Sequence, residues 1–174
     1  NPKLVRLSMS AVVANARAIG SGLGLDANER AVTSLPLQYS YGLSVLNSHL
    51  ISGAAVVLTS RGPLDRGFWD VVRDEGCTSF AGVPYSYQLL ERIGFERLAL
   101  PSLRTMTQAG GKLNDTLVGR FHELMASRGG QFFVMYGQTE ATARIAILPP
   151  SALPAKLGSA GQAIAAGHIE VDPD

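Results

Sequence analysis

The chain has a single cysteine, Cys77, in 174 residues, which excludes a disulfide framework and a cysteine-based metal cluster. Set between Gly76 and Thr78 at the start of a strand-like run, it reads as a buried structural thiol and not as a nucleophile. Histidine is scarce too: His49, His122 and His168 show no ligand-like spacing and read as surface or core residues. Charge of one sign is missing. The net charge is +1 and the basic residues are scattered, so the footprint of a nucleic-acid or membrane-surface partner is absent. No apolar run is long enough to span a bilayer, and no basic-then-apolar leader opens the chain, which makes the cytoplasm the default location. A Walker-type loop and a dinucleotide fingerprint are both lacking, which counts against an unrelated doubly wound nucleotide-binding protein.

What is present is the profile of a globular domain: 46% hydrophobic and 17% charged residues, over a length that can bury one sizeable core. The chain opens on Asn1-Pro2-Lys3 without Met and closes on Val171 to Asp174 directly after a strand-like run, so both ends are expected to be cut from something larger.

Helical and strand-like stretches alternate. Ser8 to Leu25 carries apolar residues at helical spacing, with Ser8 or Ser10 as cap and glycines as the stop. Ala31 to Leu37 predicts a strand, and Leu43 to Ile51 a helix ending at Gly53. Ala54 to Thr59 is a continuous apolar run of the kind buried on both faces of a sheet. A helix over Gly67 to Glu75, with Phe68, Val71 and Val72 inward, leads to a strand over Thr78 to Val83. A helix over Tyr85 to Ile93 follows, with Pro84 in its first turn. Leu103 to Gln108 predicts a strand, Asn114 to Ala126 a helix capped by Asn114 or Asp115, and Gln131 to Met135 a strand. Such alternation predicts an α/β fold, a mainly parallel sheet of βαβ units flanked by helices. The 174 residues read as a single α/β subdomain in which 143–174 is a peripheral strand-rich tail, with strands over Arg144 to Leu148 and Ile164 to Val171. That tail either pairs antiparallel or belongs to a neighbouring subdomain.

Phe132 to Thr142 organises the rest. Four bulky apolar residues suit a buried strand; Gly137 then breaks the pattern before hydroxyl, amide and carboxylate groups, delivering them at the carboxyl end of a sheet, where open α/β folds bind ligands. Tyr136 offers a flat face for a base, and Gly137 lets backbone approach a ligand. Thr139 can donate to a phosphate oxygen, and Glu140 can hold a hard cation such as Mg²⁺. Read alone, the same string is a strand followed by a polar turn. Gln108 to Leu113 places Gly110 and Gly111 after a strand and before a helix, where main chain can approach a planar or phosphorylated ligand, or where glycine merely punctuates a turn. Gly82-Val83-Pro84-Tyr85 is a tight apolar turn able to line a pocket.

These stretches, with Leu35-Pro36-Leu37 before Tyr41-Gly42-Leu43 and Ser102-Leu103-Arg104 ahead of the glycine pair, resemble the adenylate-forming (ANL) superfamily over nearly the whole chain. That superfamily holds acyl- and aryl-CoA synthetases, the adenylation domains of nonribosomal peptide synthetases and luciferase. The resemblance implies part of the large N-terminal domain of an AMP-forming ligase. In such an enzyme a carboxylic acid and ATP give an acyl-adenylate, and a thiol, CoA or the phosphopantetheine of an acyl carrier protein, then takes the acyl group. It implies that Tyr136 stacks on adenine, that Gly110 and Gly111 line the adenine and acyl pockets, that Thr139 binds the α-phosphate and that Glu140 binds Mg²⁺, the last two being the catalytic pair. Lys3, Lys112, Gly137 and Gln138 complete the implied nucleotide contacts, and Tyr39, Tyr41, Val83, Pro84, Ala109 and Gly110 the implied acyl contacts. Asn1-Pro2-Lys3 is similar to the end of the family's phosphate loop, although Lys3 reads equally as a solvated terminal charge.

There are departures. The glycine-rich part of the phosphate loop would precede residue 1, and the ribose-binding Thr-Gly-Asp element and the C-terminal lid domain with its lysine would follow residue 174, so the isolated fragment is expected to be inactive. Many acyl-CoA synthetases have His where Tyr39 stands, and amino-acid-activating members carry an aspartate near Tyr41-Gly42. With no carboxylate there, an acid without an α-amine is expected, ahead of an amino-acid-activating adenylation domain. A degenerate, non-catalytic binding module is the reading from another class, against which the intact Tyr136 to Glu140 string argues.

Overall fold

The computed structural model describes residues 4–172, so Lys3 lies outside the described residues. Among these, one sheet forms from β1 (Arg30–Val32), β2 (Ala55–Val57), β3 (Ser79–Gly82), β4 (Thr105–Gln108), β5 (Gln131–Tyr136), β6 (Ala146–Leu148) and β7 (Gln162–Ala163). Its order is β2-β1-β3-β4-β5-β6-β7. β1 to β5 run parallel, while β6 and β7 extend the sheet antiparallel.

The helices are α1 (Met9–Leu23), α2 (Ser40–Ile51), α3 (Arg66–Asp74), α4 (Pro84–Arg92) and α5 (Asp115–Ser127). Their ends have local causes. Ser8 Oγ accepts from the Ala11 N–H at 3.1 Å and starts α1, and Gly24, at φ 65°, stops it in the left-handed region. Asp65 and Asn114 cap α3 and α5 by accepting from the N–H groups of Gly67 and Thr116, both at 2.8 Å. Pro84 occupies the first turn of α4, where a missing N–H costs nothing.

Side chains of β5 alternate between the two faces of the sheet. Phe132 joins the larger core with Phe68, Trp69, Tyr87, Leu90, Phe121 and Met125 of α3, α4 and α5. Phe133 and Met135 join a second core with Tyr41 of α2, Ala81, Ala109 and Ile147. Period-two alternation thus feeds helices on both faces.

Two expectations need correction. Ala54 to Thr59 is not buried on both faces: β2 is the edge of the sheet, and Ala55 is exposed with Val56 and Val57 half-buried. Ile164 to Val171 is not a strand. After the two residues of β7 the chain turns at Ala166, φ 63°, and Gly167, whose N–H donates to the Ile164 carbonyl, and residues 165–172 are exposed without ladder partners.

Candidate functional site

The carboxyl ends of β3, β4 and β5 open side by side. From Gln108, which ends β4, the chain passes through Ala109, both residues buried, into Gly110 and Gly111, at φ 82° and 150°. Gln108 Nε2 donates to the Gly111 carbonyl at 2.7 Å and holds the turn closed. A Cβ at Gly110 would collide with the Tyr39 hydroxyl and press on Val83, so the turn is glycine both for its φ and for that close approach. Pro84 sits against Gly111 from the start of α4.

After β5, Tyr136 keeps half of its surface exposed and Gly137 follows. The loop from Gln138 to Ala143 folds back on itself, because the Gln138 carbonyl accepts from the N–H groups of Ala141 and Ala143, both at 3.1 Å. Thr142 and Ala143 adopt φ of 63° and 86°, a conformation that costs non-glycine residues about 1–3 kcal/mol each and that tends to collect at functional loops. Thr139 Oγ1 shares a 2.8 Å hydrogen bond with Ser40 Oγ at the start of α2. Glu140 is exposed one residue on.

Between the two turns lies a cleft of about 300 Å³ lined by Gly110, Gly111, Lys112, Tyr136, Gly137 and Ser159, among others. Its half-exposed ring and glycine main chain fit a planar heterocycle. Among the described residues no three His, Cys, Asp or Glu side chains form a metal cluster.

Of the residues read from the sequence, Gly110, Gly111, Lys112, Tyr136 and Gly137 line this cleft; Gln138, Thr139 and Glu140 follow in the loop after β5, and Tyr39, Tyr41, Val83, Pro84 and Ala109 are not part of its lining. Tyr39 is half-buried, with its hydroxyl against Gly110 and its ring edge-on to Tyr41, centroids 6.3 Å apart. Tyr41 is buried between α2 and the sheet, where its hydroxyl donates to the Thr107 carbonyl at 2.9 Å and lies 2.8 Å from Thr107 Oγ1. Burial pushes its phenol up to about 12, only partly offset by the Arg144 guanidinium, so it remains neutral. Ala109 is in the second core, and Val83 is half-buried at its border. Three contributors escaped sequence reasoning: Gln108 as the brace of the glycine turn, Ser40 as the partner of Thr139, and Arg144, whose only signal was an arginine interrupting an apolar run.

A mainly parallel sheet with glycine turns at the neighbouring carboxyl ends of β4 and β5 defines an open α/β domain whose cleft lies at the end where such folds bind ligands. Within that class, the chain belongs to the AMP-binding enzyme family, which matches residues 1–174. It is 31% identical over 164 residues to indoleacetate–CoA ligase of Aromatoleum aromaticum, covering 93% of this chain and 31% of that protein. It is similar to o-succinylbenzoate CoA synthetase (MenE) of Bacillus subtilis in complex with the acyl-adenylate intermediate OSB-AMP, with TM-score 0.83, 26% identity and coverage of 98% of this chain and 34% of the other. The same enzyme with ATP and magnesium ion gives TM-score 0.81, 27% identity and coverage of 98% and 34%. The chain thus spans about a third of the length of the relatives it matches. No helix among the described residues is long and apolar enough to cross a membrane.

Proposed function

We propose that the full-length protein is an AMP-forming acid–thiol ligase, and that residues 1–174 form the α/β subdomain binding its adenine and acyl groups. The observation that carries this reading is the convergence of Tyr136 and Gly137 with the Gly110-Gly111 turn on one cleft, in a chain of the AMP-binding enzyme family. The carboxylate of an acid attacks the α-phosphate of ATP, an acyl-adenylate forms, and pyrophosphate leaves. The thiol of CoA or of a carrier protein's phosphopantetheine then displaces AMP.

On this reading Tyr136 stacks on adenine, while Gly110, Gly111 and Gly137 give the ligand main-chain contact. Lys112 and Gln138 complete the nucleotide contacts, to which the sequence adds Lys3 outside the described residues, and Thr139, oriented by Ser40, donates to the α-phosphate. Glu140 would hold Mg²⁺, and that ion would supply charge neutralisation when bound. Tyr39, Val83, Pro84 and Ala109 shape the entry of the acyl group. Such chemistry asks the protein for positioning and no nucleophile. The charge facing Tyr41 is the Arg144 guanidinium, which suits an acid lacking an α-ammonium. The cytoplasm, where ATP and CoA are at hand, is the proposed location.

The test is ATP–pyrophosphate exchange by the full-length protein over a panel of fatty, aryl and amino acids, with Glu140→Gln alongside. The variant is expected to lose on the order of 10²–10³ in exchange rate with its circular dichroism unchanged. Wild-type exchange by the variant would remove Glu140 from the mechanism, and no exchange by a folded, ATP-binding wild type would favour a non-catalytic binding module.

A further inference from the structure

Arg144 carries a charge that the fold does not account for. Its backbone is well used: the N–H donates to Asn15 Oδ1 at 3.2 Å and the carbonyl accepts from Asn15 Nδ2 at 2.8 Å. The side chain is another matter. The residue is 3% exposed, and its guanidinium lies 4.6 Å over the ring of Tyr41. Its Nη2 reaches Ser44 Oγ only at 3.4 Å, and Nε has no partner among the described residues. Its titratable neighbours among the described residues are the phenols of Tyr41 and Tyr39 and no carboxylate, and burial draws its pKa below the ordinary arginine value. Several other arginines find acids, as in Arg104 with Glu29, Arg120 with Glu91 and Arg73 with Asp70, while Arg128, which also stacks on a ring, donates to the Phe95 and Glu96 carbonyls. An enclosed cation without a counter-charge is among the costliest arrangements in a core, and arginine cannot escape it by giving up its proton.

The position of this charge connects it to the cleft. Tyr41 meets Tyr39 edge-on, and the Tyr39 hydroxyl abuts Gly110 at the cleft wall. Met135 lines both the nucleotide cleft and a cavity of about 20 Å³ that Arg144 borders with Tyr41 and Ser44, room for little more than a water. A path of Gly110, Tyr39, Tyr41 and Arg144 therefore runs inward from the reacting end.

We propose that Arg144 is a specificity-determining residue that receives a second carboxylate at the far end of the acid being activated, so that the substrate is a dicarboxylic acid. This rests on the ligase reading above. A carboxylate matches the guanidinium fork with two parallel N–H···O bonds and would employ the partnerless Nε. The acyl chain lies along Tyr39 and Tyr41, and its tail enlarges the small cavity by moving Met135, an unbranched and adaptable side chain.

The experiment compares exchange by the full-length protein on matched pairs, hexanoate against adipate and phenylacetate against its ring-carboxylated counterpart homophthalate. It uses wild type, Arg144→Met and Arg144→Lys. Wild type is expected to favour the dicarboxylate of at least one pair in kcat/KM by about 10- to 100-fold, the span of a charge-assisted hydrogen-bond pair. Arg144→Met should reverse that preference while keeping exchange with the monocarboxylate, and Arg144→Lys should retain part of it. The Tm of Arg144→Met should hold or rise, because an uncompensated buried charge has gone. Preference for monocarboxylates in wild type, or an unchanged ratio in Arg144→Met, overturns the proposal. A fall in Tm with loss of exchange on every acid also overturns it, marking the cation as structural. Absence of exchange with any acid by wild type overturns the ligase reading and this one with it.

Discussion

Gly137 and Gly119 make opposite demands on a methyl group. A Cβ at Gly137 would sit inside the Ala143 carbonyl and 3.0 Å from Arg144 Cα, so the end of β5 is closed against the chain that begins β6. Gly137→Ala should therefore cost about 1–3 kcal/mol in urea unfolding and displace the Gln138 to Ala143 loop. A Cβ at Gly119, inside α5, would meet nothing within 4 Å. There the only change is the lost freedom of the unfolded chain, and Gly119→Ala should add about 0.5–1 kcal/mol by the same measurement. If both substitutions destabilise equally, close approach is not what selects glycine at 137. The Phe132 to Thr142 string announced a strand running into polar groups, and the structure has that strand and turn. It could not announce Thr139 reaching Ser40, a contact 99 residues away, or Tyr39 reaching Gly110, because such pairs exist only once the sheet has been ordered.

At the scale of elements, caps were the readable part. Asp65 caps α3 through Oδ1 and pairs with Arg61 through Oδ2 at 3.1 Å, both on the surface. Asp65→Ala should cost about 1 kcal/mol in a chemical denaturation midpoint, most of it recovered by Asp65→Asn, which keeps the cap and loses only an exposed ion pair. Helix ends were legible from Ser8, Pro84 and Asn114 since a cap is a local hydrogen bond between near neighbours. Strand environment was not. Ala54 to Thr59 has the composition of an interior strand yet forms an edge, because composition cannot tell which strand lies outermost. Ile164 to Val171 has apolar residues at both ends but no ladder partner among the described residues beyond β7, and Gly167 turns the chain away.

For the whole molecule, the balance between folded and unfolded chains should depend on pH through His49. It is buried in α2; Nδ1–H donates to the Val45 carbonyl at 2.8 Å, and Ser79 Oγ, 3.0 Å from Nε2, donates to that nitrogen in the neutral ring. Burial lowers its pKa, outweighing the opposing pull of the Val45 hydrogen bond and Glu29. The unfolded chain takes up a proton near the ordinary histidine value of about 6.5, whereas the folded chain resists it. Stability is then complete above that pH and declines on acidification. Tm measured from pH 8 down to pH 5 should fall through this window in wild type and fall less in His49→Gln. An equal slope in both would assign the acid sensitivity to other groups.

The sheet as a whole also explains where the site lies. Strand order reverses between β1 and β3, but the cleft is two strands further on, at β4 and β5, beside the antiparallel return of β6. That return joins Tyr136 and Arg144 within one β5–β6 hairpin, closed at Gly137. On the proposed reading, the hairpin is therefore a single heritable cassette for both ends of the ligand. On that same reading, recombination between relatives that breaks between Tyr136 and Arg144 would separate the nucleotide contact from the acyl reader, whereas crossovers outside the hairpin would carry these two residues together.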